Sequence, residues 1–140
     1  MRYAKLVVVV LATAVAVLVP NVATAQNEQP TFHKDIEPIF QRSCQVCHRP
    51  DNMAPMSLLN YQETRPWARS IKNKVVAREM PPWHIDKNVG IQEFKQDRSL
   101  SETEIELIAD WVDAGAPRGN PADAPAPVEL PDFGAWEVPP

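Results

Sequence analysis

A small all-α domain is the fold this sequence predicts, on three observations. Apolar residues recur at helical spacing in three separate segments, and no stretch shows the apolar–polar alternation of a strand. Each segment has start or stop chemistry at its ends, supplied by prolines, a capping box and a glycine. The domain is also thin, because three modest helices enclose little core and domains of this size commonly need a disulfide, a metal or another staple.

The 140-residue chain opens with Arg2 and Lys5, followed by an apolar run from Leu6 to Val19 and the small residues Ala23-Thr24-Ala25. That is the layout of a secretory signal peptide, so residues 1–25 are expected to be cleaved before Gln26 and the product to be periplasmic or secreted. A retained anchor is the alternative, although the run falls short of the roughly 20 residues that span a bilayer. No later segment is apolar enough to cross a membrane. Removing Arg2 and Lys5 from the 14 basic residues leaves 12 against 18 acidic ones, a formal charge of −6. Nucleic acid is an unsuitable partner for such a chain.

The first helix is expected to begin at Asp35 as N-cap, with Pro38 in the first turn, where backbone N–H groups lack partners anyway. Ile36, Ile39 and Phe40 form its apolar side and deliver the chain to Cys44. The second is expected over 64–78, with Trp67, Ile71 and Val75 at i, i+4 and i+8 as one buried stripe and Pro81-Pro82 as its stop. Arg65, Arg69, Lys72, Lys74 and Arg78 cover much of the remainder, which reads most simply as a solvated face. The third opens with the capping box Ser101-Glu102-Thr103-Glu104 and buries Ile105, Ile108, Ala109 and Val112, with Trp111 at the margin and Gly115 as left-handed stop. A domain over 26–117 and a tail over 118–140 follow, since seven of the 15 prolines lie from Pro117 onward and resist helix. Phe133 and Trp136 either dock back on the domain or begin something beyond it.

Both cysteines of the chain lie in Cys44-Gln45-Val46-Cys47-His48. C-x-x-C-H is the spacing that attaches a c-type haem, each thiol adding across one porphyrin vinyl group and the histidine lying beneath the iron as proximal ligand. Rival readings exist. A thioredoxin-like dithiol wants a βαβ setting, which is missing here. A zinc site wants four ligands, and beyond this motif the chain offers only His33 and His84. A plain disulfide is the simplest rival. A covalent porphyrin would also supply the staple that the thin core requires.

Iron in an electron-transfer haem carries a ligand on each face. Met80 is the expected distal one, since it follows the second helix and stands beside two prolines, whereas Met53 and Met56 lie too near His48 to pass around the porphyrin edge. His84, or no sixth protein ligand, are the alternatives, and a methionine can also be simple core filler. Trp83 is either a haem-edge contact or an ordinary core residue. The Pro55 carbonyl is a candidate to accept the second imidazole N–H and orient the ring. His33 reads as a surface or capping residue.

On these residues the chain resembles a class I c-type cytochrome domain over roughly 31–117, with the attachment motif after a short first helix, Met80-Pro81-Pro82 in the middle and Trp111-Val112-Asp113-Ala114-Gly115-Ala116-Pro117 closing the domain. More narrowly, Cys47-His48-Arg49-Pro50, Ala54-Pro55-Met56-Ser57-Leu58 and Met80-Pro81-Pro82-Trp83 are similar to bacterial cytochrome domains that precede copper type II, ascorbate-dependent monooxygenase-like or redoxin-like modules. The tail over 118–140 carries no such module. The resemblance implies a small helical fold wrapped around one covalent haem c, held by Cys44 and Cys47 and ligated by His48 and Met80. The implied function is single-electron transfer between protein redox partners rather than enzymatic turnover, because six-coordinate iron has no open position. Glu102, Glu104, Glu106, Asp110 and Asp113 would give an acidic pole opposite the basic second helix, an asymmetry that can steer a partner. A haem-containing redox-enzyme subunit, peroxidase-like or monooxygenase-associated, and a haem-dependent sensor or docking module using the proline-rich tail remain alternatives.

Overall fold

The computed structural model describes residues 29–82, 86, 88–90, 94–95 and 97–131. The signal segment, Trp83, His84, Phe133 and Trp136 lie outside the described residues. Among the described residues the secondary structure is entirely helical. A π-helical turn, Phe32–Ile36, runs into α1, Glu37–Ser43; α2, Tyr61–Thr64, passes through the 3-10 turn Arg65–Trp67 into α3, Ala68–Val76; α4 is Glu102–Asp113, and a last 3-10 turn is Pro121–Asp123. Among the described residues no helix is long and apolar enough to cross a membrane.

The chain becomes helical four residues before the expected start. Thr31, in extended conformation, is the N-cap, and Asp35 instead reaches back so that its Oδ2 accepts from the Thr31 N–H at 2.7 Å. One extra turn is thereby added, and it buries Phe32 and His33. Phe32 has no exposed surface, and its ring lies 6.3 Å from Phe40, 5.5 Å from Tyr61 and 6.0 Å from Trp111 between centroids. It joins the first helix, α2 and α4 in one aromatic centre. His33 is buried too, contrary to the surface role expected of it: Arg118 Nε donates to its Nε2 at 3.2 Å, so its Nδ1–H donates to Glu37 Oε2 at 2.7 Å.

The second helical stretch starts at Tyr61, with the Asn60 side chain accepting from the Glu63 N–H. Ile71 and Val75 are buried as expected, but Trp67 is 44% exposed, and Thr64 and Ala68 complete the buried stripe instead. Pro66 cannot donate to the preceding turn, and the 3-10 segment around it advances about 120° per residue rather than about 100°. Trp67 is rotated off the core by that phase shift. The helix also ends before Pro81-Pro82. Arg78 adopts φ 56°, Glu79 N–H donates to Lys74 O at 2.9 Å and Arg78 N–H to Val75 O at 3.0 Å, a Schellman motif with arginine in the left-handed place.

The α4 capping box is present in both directions, with Ser101 N–H donating to Glu104 Oε2 at 2.8 Å. Arg42 Nη1 meets Glu104 Oε1 at 2.7 Å and ties α1 to α4. Burial opposes the Glu104 charge, yet the hydrogen bonds from Arg42 and Ser101 hold its carboxyl below the usual range. Trp111 stands at the centre of the core rather than at its margin. Its surface is wholly buried, together with Ile108, while Ile105, Ala109 and Val112 are half-buried. Trp111 reaches inward because its Nε1–H has a partner there, the Pro117 carbonyl at 2.9 Å. Gly115, at φ 92°, ends the helix, with Ala116 N–H donating to Trp111 O at 2.8 Å.

Pro117 O also accepts from Phe32 N–H at 2.9 Å, and the tail then runs back along the first helix. Gln41 donates to Ala126 O and Arg49 to Pro131 O. Gly119, at φ 77°, lies so close to Thr31 that a Cβ there would meet its Oγ1 at 2.5 Å.

The two charged faces are partly joined rather than wholly separate as expected. α3 and α4 pack on each other, and Lys72 pairs with Asp113 while Arg78 pairs with Glu102. Lys74 pairs locally with Glu79.

Among the described residues the Thr64 and Ser99 hydroxyls are buried without a hydrogen-bond partner, and Thr64 is the one with no exposed surface at all. Leaving a buried hydroxyl unpaired costs about 1–3 kcal/mol. Thr64→Val, which keeps the shape and removes the orphan, should therefore raise the denaturant midpoint without changing the slope of the unfolding curve. A lowered midpoint would mean that this oxygen has a partner in solution.

Candidate functional site

The C-terminal end of α1 turns directly into the cysteine motif. Cys44 N–H and Gln45 N–H both donate to Phe40 O, and the Cys44 carbonyl then accepts from Cys47 N–H at 3.1 Å and His48 N–H at 3.0 Å. Cys44, Cys47 and His48 are thus held on one hydrogen-bonded turn. The two thiols are free and half-buried.

A loop closes behind this turn and fixes the imidazole. Leu58 N–H donates to His48 O at 3.0 Å, Ala54 N–H donates to Cys47 O at 3.3 Å, and the buried Gln45 side chain donates from Nε2 to Leu58 O at 3.0 Å. His48 Nδ1 lies 3.2 Å from Met56 O. A carbonyl can only accept, so Nδ1 carries the proton and Nε2 presents a lone pair. The acceptor is one residue beyond the Pro55 carbonyl expected from the sequence. Met56 reaches it because its side chain packs on the core and anchors the loop at that residue, whereas Pro55 is exposed.

Gln45 and Met56 are the positioning residues that sequence reasoning missed. The middle residues of C-x-x-C-H carry no chemistry of their own, so nothing in the motif marks Gln45. Its burial with a satisfied amide is visible only once Leu58 has been folded onto it.

Burial pushes the Cys44 thiol up to about 12, Arg42 opposing the rise and Cys47 adding to it. A redox-active dithiol wants the opposite, a thiolate accessible near ambient pH. A thioether sulfur in the same place has no proton to lose, and its burial carries no such penalty.

Met80 is placed by a different element, just after the Schellman end of α3, where its N–H donates to Lys74 O at 3.2 Å. It is 40% exposed, and the Met80–Pro81 peptide is cis. Met53 is 70% exposed, on the loop after the motif. No group of three or more histidine, cysteine and acidic side chains is gathered as a metal site among the described residues.

Two neighbouring thiols on one turn, beside an imidazole whose proton is fixed away from its free nitrogen, are the residues that could hold a c-type haem, while Met80 stands on a separate segment after α3. No protein-family model, no curated protein and no solved structure matches this chain.

Proposed function

We propose that this chain is an extracytoplasmic monohaem c-type cytochrome that passes single electrons between protein redox partners. The observation that carries the reading is the His48 Nδ1–Met56 O hydrogen bond on the same turn as both cysteines. Metal-ligating histidines typically donate their other ring N–H to a backbone carbonyl or carboxylate, which sets the tautomer and the ring plane. Here that arrangement stands ready at the residue beside the cysteine pair.

Haem supplies one-electron chemistry, and every other part is supplied by the chain. Cys44 and Cys47 would hold it by thioethers, His48 Nε2 would ligate one iron face and Met80 Sδ the other. A thioether ligand favours the reduced state relative to a second histidine. Gln45 and Met56 keep the imidazole from rotating, which limits reorganisation when the electron arrives or leaves. The paired charges of α3 and α4 argue against docking on Lys72 or Lys74. The tail contacts to Gln41 and Arg49 favour a structural role for residues 118–131 over a free docking arm.

Expression of the full chain in a host with cytochrome c maturation, followed by a denaturing gel stained for haem peroxidase activity, tests the reading. The stain should remain with the polypeptide. Cys44→Ser and Cys47→Ser should each weaken it, and the double variant should abolish it. Porphyrin that leaves the wild-type chain on denaturation would overturn the proposal.

A further inference from the structure

Five basic residues lie along α3 and the turns at its ends, and three of them are consumed by ion pairs: Lys72 with Asp113, Lys74 with Glu79 and Arg78 with Glu102. Arg65 and Arg69 form no ion pair among the described residues. Both line a cleft of about 570 Å³ between the start of α3 and the end of α4. Ser70 and Asn73 add a hydroxyl and an amide from the same side, while Val112 of α4 and Ala116 beyond its end supply apolar lining. None of the cysteine-turn residues takes part.

These features select a chemistry. Arg65 in the 3-10 turn and Arg69 in the first turn of α3 both border the cleft, so a single anionic ligand held there would lie beside both guanidinium groups. A planar guanidinium matches a carboxylate through two parallel N–H···O bonds. The volume falls within the roughly 300–1,000 Å³ of small-molecule pockets. It also far exceeds what a single inorganic oxyanion fills, given that one water occupies about 30 Å³ of liquid. The apolar lining rewards a hydrocarbon body that an inorganic ion lacks.

We propose that the Arg65–Arg69 cleft is a binding site for an organic carboxylate with an apolar body, best a dicarboxylate that engages both arginines. The site is separate from the haem reading and stands or falls without it. Occupancy would bridge α3 to the last turn of α4.

Isothermal titration of the full chain with isophthalate, benzoate and inorganic phosphate tests this. Isophthalate should bind saturably, with benzoate weaker and phosphate weaker by roughly ten-fold or more, a difference of about 1.4 kcal/mol. Arg65→Gln and Arg69→Gln should each reduce isophthalate affinity, and the double variant should abolish measurable binding. Both side chains are on exposed residues, so unchanged thermal unfolding is the control for folding. The Lys72→Gln/Lys74→Gln variant removes the same charge from the same helix and should bind as wild type. Absence of saturable isophthalate binding would overturn the proposal. Equal binding of phosphate, or an equal loss in the lysine variant, would overturn it too, since either would reduce the site to bulk charge.

Discussion

Replacing Phe32 with alanine is expected to lower the unfolding free energy by about 3–5 kcal/mol, the range for removing a buried aromatic ring from a packed core. The residue is fully buried and its ring meets Phe40, Tyr61 and Trp111, so the cavity would open where the first helix, α2 and α4 converge. Relaxation is restricted there, because Phe32 N–H and Trp111 Nε1–H share the Pro117 carbonyl and hold the walls in place. Denaturant unfolding followed by tryptophan fluorescence measures the loss. Phe32→Leu should recover a substantial part of it, since most of the apolar volume is kept. A loss no larger than that of a surface substitution, within about 0.5 kcal/mol, would show that the aromatic centre does not hold the fold together.

The centre was hidden in the sequence for a local reason. Asp35 is a favoured N-cap residue, and a helix started there leaves Phe32 and His33 outside it. The alternative, Thr31 as N-cap with Asp35 reaching back, gains one turn and two buried side chains, but only the presence of Tyr61 and Trp111 makes that turn worthwhile. Features encoded within a few residues were legible. The Ser101–Glu104 capping box and the Gly115 stop appear as expected, since each is complete within one turn of chain. The Trp67 error is of an intermediate kind, a correct helical segment read with the wrong phase across Pro66. The expected separation of the charge poles failed in part, and at the longest range, because helix-to-helix pairing depends on α3 and α4 packing together.

The candidate site divides in the same way. Cys44, Cys47 and His48 could be read directly because the chemistry fixes their spacing, and the fold keeps them on one turn. Pro55 was one residue short of the true acceptor, Met56, since loop residues carry no periodicity from which a carbonyl direction can be counted. Gln45 had no sequence mark at all.

If Met80 Sδ is the distal ligand, the ferric protein should show the weak near-infrared band of sulfur-to-iron charge transfer, and Met80→Ala should lose it entirely. Three methionines compete for that role, and the structure treats them differently. Met56 packs on the core and gives its backbone carbonyl to the proximal histidine, so drawing its sulfur to iron would disturb the ring it orients. Met53 is 70% exposed on the short loop after the motif, five residues from His48, which leaves little chain to pass around a porphyrin edge. Met80 follows α3 on an independent segment, with its N–H tied to Lys74 O and 40% of its surface exposed. Met80→Ala should also open a coordination position and raise the affinity for added imidazole by on the order of ten-fold or more, equivalent to roughly 1.4 kcal/mol. Met53→Ala should leave both the band and the affinity as in wild type. Met56→Ala should keep the band while lowering stability by less than the about 2–5 kcal/mol of a fully buried methionine, since Met56 is only half-buried. Loss of the band in the Met53 or Met56 variant with its retention in Met80→Ala would assign the distal ligand elsewhere, and the segment after α3 would then have no part in holding iron.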